Sequence, residues 1–241
     1  MGAEDLDLSV VLPAYDEARR LPPTVRRVAE FLAGSGLRTE LIVVDDGSAD
    51  GTVAAVEALA AEGVPLRLLR HQRNRGKGAA VATGVMAATG ATILFSDADL
   101  STPIEEAHVL IRALEDADVA IGSRALDRGL IEVHQPLPRE LMGRVFNVFV
   151  QAVLLRGLWD TQCGFKAFRR DAAHAVFGRL RSEGFDFDVE VLYRARRAGL
   201  RIVEVPVRWR NSADTRVSAV GDSGRMLRGL FRIRRMVDRG E

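Results

Sequence analysis

The chain has 241 residues, which is enough for one large or two small domains with a substantial core. Its formal net charge is +1, and its basic residues are not interleaved with stacking aromatics, so no nucleic-acid partner is expected. The single cysteine excludes an internal disulfide and fits a reducing compartment. No signal-peptide pattern begins the chain, and it has no run of the roughly 20 consecutive apolar residues that a membrane-spanning helix needs.

Strand and helix patterns alternate through the first half of the chain. Short connections between them indicate a mostly parallel, doubly wound α/β sheet with helices on both faces. Three predicted strands cover 8–12, 41–44 and 65–69. A fourth begins at residue 93, and a fifth covers 119–122. The predicted helices cover about 21–35, 53–61, 79–88 and 104–114.

The second half of the chain has a different rhythm. A loop over 125–138 precedes a long helix, predicted over 139–159, with bulky apolar residues on much of its circumference. A short strand at 167–168 and a helix over about 185–198 follow. The segment 201–209 predicts an edge strand because it contains Pro206, and an arginine-rich helix is predicted over 224–240.

Acidic side chains follow the first, second and fourth predicted strands: Asp16 and Glu17, Asp45 and Asp46, and Asp97 and Asp99. The carboxyl ends of parallel strands meet at one edge of a sheet, so these loops are expected to line one crevice. Carboxylates there suit a nucleotide, since they accept hydrogen bonds from ribose or a base and hold Mg²⁺ or Mn²⁺ on a diphosphate. The alternative is a set of Asx turns that only cap helices.

Lys77 lies between two glycines and supplies a mobile cation for the same phosphates, or else a solvated loop charge. The spacing around it is not that of a P-loop. The turn after the first strand also lacks the Gly-x-Gly-x-x-Gly pattern of dinucleotide oxidoreductases. The crevice therefore indicates a nucleotide site of another kind.

Four motifs occur in one order: VVLPAYDE at 10–17, VVDDGSADGT at 43–52, NRGKGA at 74–79 and DAD at 97–99. Together they resemble the family 2 glycosyltransferases of the GT-A fold. Downstream, GSR at 122–124, DTQCGFK at 160–166 and FDFDVE at 185–190 resemble the polyprenyl-phosphate sugar synthases, nearest to the dolichyl-phosphate β-glucosyltransferase type. The resemblance covers about residues 8–210.

The resemblance implies roles for individual residues. Nucleotide-sugar contacts are implied for Pro13, Tyr15, Glu17, Asp45, Asp46, Lys77 and Asp97. A metal site is implied at Asp99 and Asp97, and catalytic roles are implied for Asp99, Arg124 and Asp160. Acceptor contacts are implied for Arg124, Arg139, Arg144 and Gln162. Some relatives have a further glutamine ligand two residues beyond the second aspartate; here that position is Ser101, which leaves Gln162 as the candidate.

The implied reaction moves a hexose, by inversion, from a nucleotide-diphosphate sugar, first choice UDP-glucose, to a polyprenyl phosphate. A phosphate acceptor is already an anionic nucleophile, and Mg²⁺ or Mn²⁺ acts as a Lewis acid on the leaving diphosphate. If the acceptor is a hydroxyl instead, Asp160 or Asp188 is the candidate base. The alternatives are transfer to a soluble acceptor, such as a phosphoglycerate or a sugar, and a non-catalytic nucleotide-sugar-binding protein.

The expected arrangement is one GT-A domain over 1–210, with a nucleotide-sugar half over about 8–124 and an acceptor half over about 125–210. Residues 211–241 form a basic amphipathic segment that suits an anionic membrane surface or packs on the domain. The helix over 139–159 is expected to be an interfacial helix that receives a lipid, or a core helix. The protein is thus expected to be cytoplasmic and peripheral at the inner face of the membrane, alone or with a membrane-protein partner.

Overall fold

The computed structural model describes residues 6–211 and 221–241, apart from the side chains of residues 139 and 221–228. The strands are β1 (Leu8–Ala14), β2 (Thr39–Asp45), β3 (Arg67–Arg70), β4 (Thr92–Ser96), β5 (Val119–Ser123), β6 (Ile131–Val133), β7 (Phe165–Arg169), β8 (Ile202–Pro206) and β9 (Trp209–Arg210). The α-helices are α1 (Leu21–Gly34), α2 (Thr52–Ala61), α3 (Lys77–Ala87), α4 (Ala107–Ala113), α5 (Leu137–Val153), α6 (Arg170–Phe177), α7 (Phe187–Arg197) and α8 (Gly221–Asp238).

Seven of the described strands form one sheet in the order β3-β2-β1-β4-β7-β5-β8. Neighbouring strands are parallel except at β7, which runs antiparallel between β4 and β5. The predicted mostly parallel sheet is therefore confirmed, and so is the edge position of β8. β6 and β9 pair with each other in a separate two-stranded sheet.

The first strand continues past the proline where the sequence predicts that it ends. The carbonyl of Ala14 accepts a hydrogen bond from the N–H of Asp46 beyond β2. Pro13, one residue earlier, therefore turns its nitrogen toward β4, which pairs with β1 only as far as Val11. The missing N–H of the proline costs no ladder bond there, so the strand reaches the sheet edge intact.

The long helix α5 is shorter than the predicted 139–159. It ends at Val153, after which Leu155 and Leu158 are buried in an irregular turn. Gly157 in this turn has φ +87°, a left-handed conformation that glycine adopts without steric cost. The apolar pattern continued past the end of the helix because the turn is also buried, which is why the predicted boundary was wrong.

Hydrophobic cores lie on both faces of the large sheet. Along β1, Val11 packs into one core while Val10 and Leu12 pack into the other, because successive strand side chains point to opposite faces. Helices α3, α5, α6, α7 and α8 contribute to the first core, and α1, α2 and α4 to the second. Helix α8 joins the first core through Leu230 and Ile233, while its Phe231 is 64% exposed.

The predicted basic segment is described only in part. Residues 212–220 lie outside the described chain, as do the side chains of 221–228. Within the described ranges, no helix combines the length and the apolar character that crossing a bilayer requires.

Candidate active site

The loops after β1 and β2 hold each other in place at the carboxyl edge of the sheet. The N–H of Asp16 donates to the Ser48 hydroxyl at 2.8 Å, and the Asp16 carboxylate accepts from the N–H of Ala49 at 2.9 Å. The N–H of Glu17 donates to the Thr52 hydroxyl at 2.7 Å. Asp16 has φ +50°, a strained conformation of the kind that clusters at ligand sites.

The end of β1 and the loop after it contain the first residues predicted to contact the nucleotide. Pro13 is buried at the end of β1, and Tyr15, 38% exposed, follows it at the surface. The Glu17 carboxylate accepts a hydrogen bond from Arg20 Nε at 2.8 Å. Tyr15 is therefore the member of this group whose side chain is exposed.

Asp45 ends β2 and is only 2% exposed. Its Oδ2 accepts a hydrogen bond from the N–H of Ser48 at 3.2 Å, whereas its Oδ1 is buried without a hydrogen-bond partner among the described residues. A buried acceptor without a donor costs about 1–3 kcal/mol of folding free energy, so a hydrogen-bond donor from a ligand at Oδ1 would be favourable.

Asp46 makes several contacts with the loop that precedes α3. Its carboxylate lies 2.6 Å from His71 Nδ1 and accepts hydrogen bonds from the N–H groups of Arg75, at 3.0 Å, and Gly76, at 2.7 Å. Both carboxylate oxygens are engaged, and the side chain is 3% exposed. Asp46 thus anchors the loop that leads to Lys77, and its implied nucleotide contact stays a prediction.

Lys77 begins α3, and its Nζ lies 2.5 Å from Oδ1 of Asp97, the residue after β4. Burial alone would lower the pKa of Lys77, but the charges of Asp97 and Asp188 outweigh burial and raise it, so the amine stays protonated. In the same turn, Asp99 accepts a hydrogen bond from the N–H of Ser101 at 3.0 Å. One strand end therefore presents two carboxylates and a cation.

Asp97 and Asp99 fit a divalent cation that is bound together with a nucleotide. Mg²⁺ is usually held by one or two carboxylates, with substrate phosphates and water as its other ligands. Asp97 already attracts a cation, the amine of Lys77. No group of three or more His, Cys, Asp or Glu suited to a metal occurs in the described residues, so the diphosphate would have to complete the coordination.

Arg124 and Asp160 form an ion pair just beyond β5. The guanidinium donates from Nε to Oδ2 at 2.6 Å and from Nη2 to Oδ1 at 2.7 Å, and the N–H of Arg124 donates to Oδ2 at 2.9 Å. Burial alone would raise the pKa of Asp160, but Arg124 outweighs it and lowers the pKa, so the group is a carboxylate at neutral pH. The ring of Trp209 lies 5.3 Å from the guanidinium carbon.

A groove of about 420 Å³ opens beside this pair and is also lined by Arg144 and Gln162. Arg144 and Arg128, which both line the groove, each pair with Glu140 at 2.6 Å. The groove is thus lined by three of the residues predicted to contact the acceptor, Arg124, Arg144 and Gln162. The side chain of Arg139 lies outside the described residues, so its implied role stays a prediction.

The outer face of α5 exposes a row of apolar side chains next to the groove. Its members, here called the α5 apolar row, are between 46% and 80% exposed: Leu137, Leu141, Val145, Val148 and Phe149. The opposite face of the helix buries Phe146 and Val150. A contiguous exposed apolar patch marks an interaction site, which favours the interfacial interpretation of this helix face.

A buried charge pair on β7 and α7 was not predicted. Lys166 Nζ lies 2.5 Å from both Asp188 Oδ1 and the carbonyl oxygen of Cys163. Asp188 is 4% exposed and paired, which does not suit the role of base considered for it. A lysine within an apolar strand was the available signal of such a pair. Burial raises the pKa of the Cys163 thiol to about 11, as fits a packing residue.

Comparisons with known proteins agree with this geometry. Residues 9–177 match the family described as Glycosyl transferase family 2. The chain is 35% identical to the dolichyl-phosphate beta-glucosyltransferase of Dictyostelium discoideum, over 96% of this chain and 75% of that protein. It is 33% identical to the protein of the same name from Saccharomyces cerevisiae, over 96% of this chain and 75% of that protein.

The fold also resembles a solved structure, that of glucosyl-3-phosphoglycerate synthase from Mycobacterium tuberculosis with Mn²⁺, UDP-glucose and phosphoglyceric acid. The TM-score is 0.68 at 20% identity, over 95% of this chain and 78% of that one, so the likeness concerns the GT-A fold alone. The family match spans more than half of the chain, and the sequence relatives exceed 30% identity over most of it. The chain therefore belongs to glycosyl transferase family 2 and is a glycosyltransferase.

Proposed function

We propose that the protein transfers glucose from UDP-glucose to a polyprenyl phosphate at a membrane surface, with inversion of the anomeric carbon. The observation that carries this proposal is the groove, which joins the Arg124–Asp160 pair to the α5 apolar row. An acceptor with a phosphate head and a hydrocarbon tail needs both features. Sequence relatives named dolichyl-phosphate beta-glucosyltransferase, at 33–37% identity, support the same acceptor class.

The donor would lie in the crevice at the carboxyl ends of β1, β2 and β4. There Asp45 would accept a hydrogen bond from a base N–H at its unpartnered Oδ1, and the exposed Tyr15 would contact the nucleotide. Lys77 would exchange part of its contact with Asp97 for a diphosphate oxygen. A Mg²⁺ or Mn²⁺ ion held by Asp97 and Asp99 would supply Lewis acidity that stabilises the leaving diphosphate. Fold neighbours crystallised with UDP and either ion support this choice.

The acceptor phosphate would lie against Arg124, with Arg144 further along the groove. A guanidinium has five N–H donors, of which the described contacts with Asp160 use two, so it can still bind phosphate oxygens. The phosphate oxygen attacks the anomeric carbon as the bond to the diphosphate oxygen breaks, and UDP leaves with that electron pair. The nucleophile is already an anion, so Asp160 orients Arg124 instead of removing a proton.

The membrane contact would be made by the α5 apolar row. Phe231 of α8 is also exposed, with the exposed Arg232 and Arg234 beside it. Apolar side chains flanked by arginines suit a bilayer surface that carries anionic lipids. The lone thiol is consistent with the cytoplasmic face, where the protein would act alone or with a membrane-protein partner.

The reaction is tested with purified protein, labelled UDP- and GDP-sugars, and Mn²⁺ or Mg²⁺. A short-chain polyprenyl phosphate serves as one acceptor and 3-phosphoglycerate as the other. We expect label in the organic phase from UDP-glucose, and its loss with EDTA. Label that enters only the soluble phosphoglycerate product would instead establish the soluble-acceptor reaction. Nucleotide binding without transfer to either acceptor would support a binding protein.

Membrane docking is tested by flotation with vesicles that contain anionic lipid. Leu141→Glu places a charge in the α5 apolar row, and Val109→Glu is the matched control, an exposed apolar residue on α4. We expect Leu141→Glu to lower the vesicle-bound fraction several-fold and the control to leave it unchanged. Equal flotation of both variants would argue against α5 as the docking helix.

A further inference from the structure

Glu204, at the centre of β8, contacts the loop that carries Asp160. One carboxylate oxygen accepts a hydrogen bond from the N–H of Asp160 at 2.7 Å, and the other accepts from the N–H of Trp159 at 2.8 Å. The two oxygens thus bind two consecutive peptide groups. A carboxylate that accepts two backbone donors fixes the position of that loop segment more closely than a single bond would.

The same carboxylate reaches the strand that carries Arg124. Glu204 is opposite Ile121 of β5, and Ser123, two residues further along the same face, donates its hydroxyl to Glu204. The Ser123 oxygen in turn accepts the N–H of Ala125 at 3.2 Å. Glu204 therefore connects to the backbone on both sides of the ion pair, directly at Asp160 and through Ser123 beside Arg124.

We propose that Glu204 is a positioning residue that sets the placement of Arg124 and Asp160 and thereby of the acceptor phosphate. Glu204 is not among the residues that line the groove, so it acts through Arg124 and Asp160, which are. Burial raises its pKa, and the hydrogen bonds from Ser123 and the two N–H groups oppose that effect. The kinetic part of this inference rests on the proposed transfer reaction, whereas the structural part does not.

A matched control exists at the opposite end of the sheet. Glu40, near the start of β2, accepts hydrogen bonds from the Ser9 hydroxyl at 2.6 Å and from the N–H of Thr89 at 2.7 Å. It therefore makes the same kinds of contact as Glu204, a serine hydroxyl and a backbone N–H, far from the carboxyl edge. Glu40→Gln therefore reports the effect of replacing a hydrogen-bonded strand carboxylate with an amide away from the site.

The test compares Glu204→Gln with Glu40→Gln. A glutamine at 204 keeps one acceptor oxygen and turns its NH₂ toward the other N–H, so the bond from Trp159 or from Asp160 is lost. The contacts of Glu40 all use Oε1, so they can persist in Glu40→Gln. We expect kcat for lipid-phosphate glucosylation to fall about 10- to 100-fold in Glu204→Gln, with UDP affinity unchanged, since displacement of reacting groups by about 1 Å has effects of this size. Glu40→Gln should keep kcat within about twofold of the wild-type value.

A readout that needs no turnover completes the test. Hydrogen exchange measured by mass spectrometry should rise at residues 157–163 and 122–126 in Glu204→Gln, and not in Glu40→Gln. Unchanged exchange there, or a kcat that matches the control, would overturn the inference. If the wild-type protein transfers no sugar while exchange still rises at both segments, the positioning role stands and the proposed function fails instead.

Discussion

The Arg124–Asp160 pair predicts an asymmetric response to mutation. The Asp160 side chain is 7% exposed, whereas that of Arg124 is 27% exposed. Arg124→Met leaves a buried carboxylate without its charge partner, a change that costs roughly 3–5 kcal/mol in buried pairs. Because the pair is partly exposed through Arg124, we expect the lower end, about 3 kcal/mol. Asp160→Asn leaves a guanidinium that reaches water, so we expect about 1 kcal/mol.

The double variant gives the sharper expectation. Arg124→Met combined with Asp160→Asn no longer buries an unpaired charge, so it should be about 1–2 kcal/mol more stable than Arg124→Met alone. Urea unfolding of the four proteins at pH 7 measures this coupling. Costs that simply add, or an Asp160→Asn variant less stable than Arg124→Met, would refute the assignment of a buried, charge-paired carboxylate.

The same pair predicts the dependence of stability on pH. In the wild type the pKa of Asp160 is lowered, so its stabilising contribution is complete above the unfolded value of about 3.9 and is lost as the pH falls through the folded pKa. In Arg124→Met, burial is opposed only by the N–H of residue 124 and the more distant charge of Lys166, so we expect that pKa to rise. The variant should therefore regain stability between pH 7 and pH 5, and its difference from the wild type should shrink. A constant difference across this range would contradict the reasoning.

Three further substitutions test the donor side. Asp99→Ala should abolish metal-dependent turnover and the enhancement of UDP binding by Mn²⁺, measured by calorimetry; activity with unchanged metal dependence would exclude Asp99 as a ligand. Lys77→Met should free Asp97 and tighten Mn²⁺ binding several-fold without nucleotide while lowering turnover, and weaker Mn²⁺ binding would contradict this. Asp46→Asn should cost about 2 kcal/mol of unfolding free energy in urea, because it removes most of the anchor of the Lys77 loop; an unchanged stability would exclude that role.

The sequence predicted the crevice because strand ends in a parallel sheet meet at one edge. Asp45 ends β2 and Asp97 follows β4, and these two strands flank β1, so the two aspartates lie at one edge of the sheet. The different roles of Asp45 and Asp46 were harder to predict. Asp45 and Asp46 are consecutive, and consecutive residues at a strand end point in opposite directions, so one keeps an unpartnered oxygen while the other anchors a loop.

Contacts between segments far apart in the chain could not be predicted from the sequence. Arg124 and Asp160 were both predicted at the acceptor side, but nothing in their spacing of 36 residues shows that they bind each other. Glu204 is the one charged residue of β8, a pattern that signals a polar partner without naming it. The antiparallel direction of β7 was likewise missed, because a five-residue strand carries no periodic signal of its direction.

Lys77 and Arg124, the two cations assigned to phosphates, are both held by carboxylates of the chain itself, Asp97 and Asp160. Each carboxylate keeps its cation protonated and in place before a ligand arrives, and each contact can be shared with an incoming phosphate. The enzyme must bring two anions, the donor diphosphate and the acceptor phosphate, to one site. Pre-oriented cations lower the cost of that encounter, because little side-chain reorganisation remains when the substrates bind. Positioning of these two pairs, by the Asp46 anchor on one side and by Glu204 on the other, would therefore govern the rate more than any proton transfer.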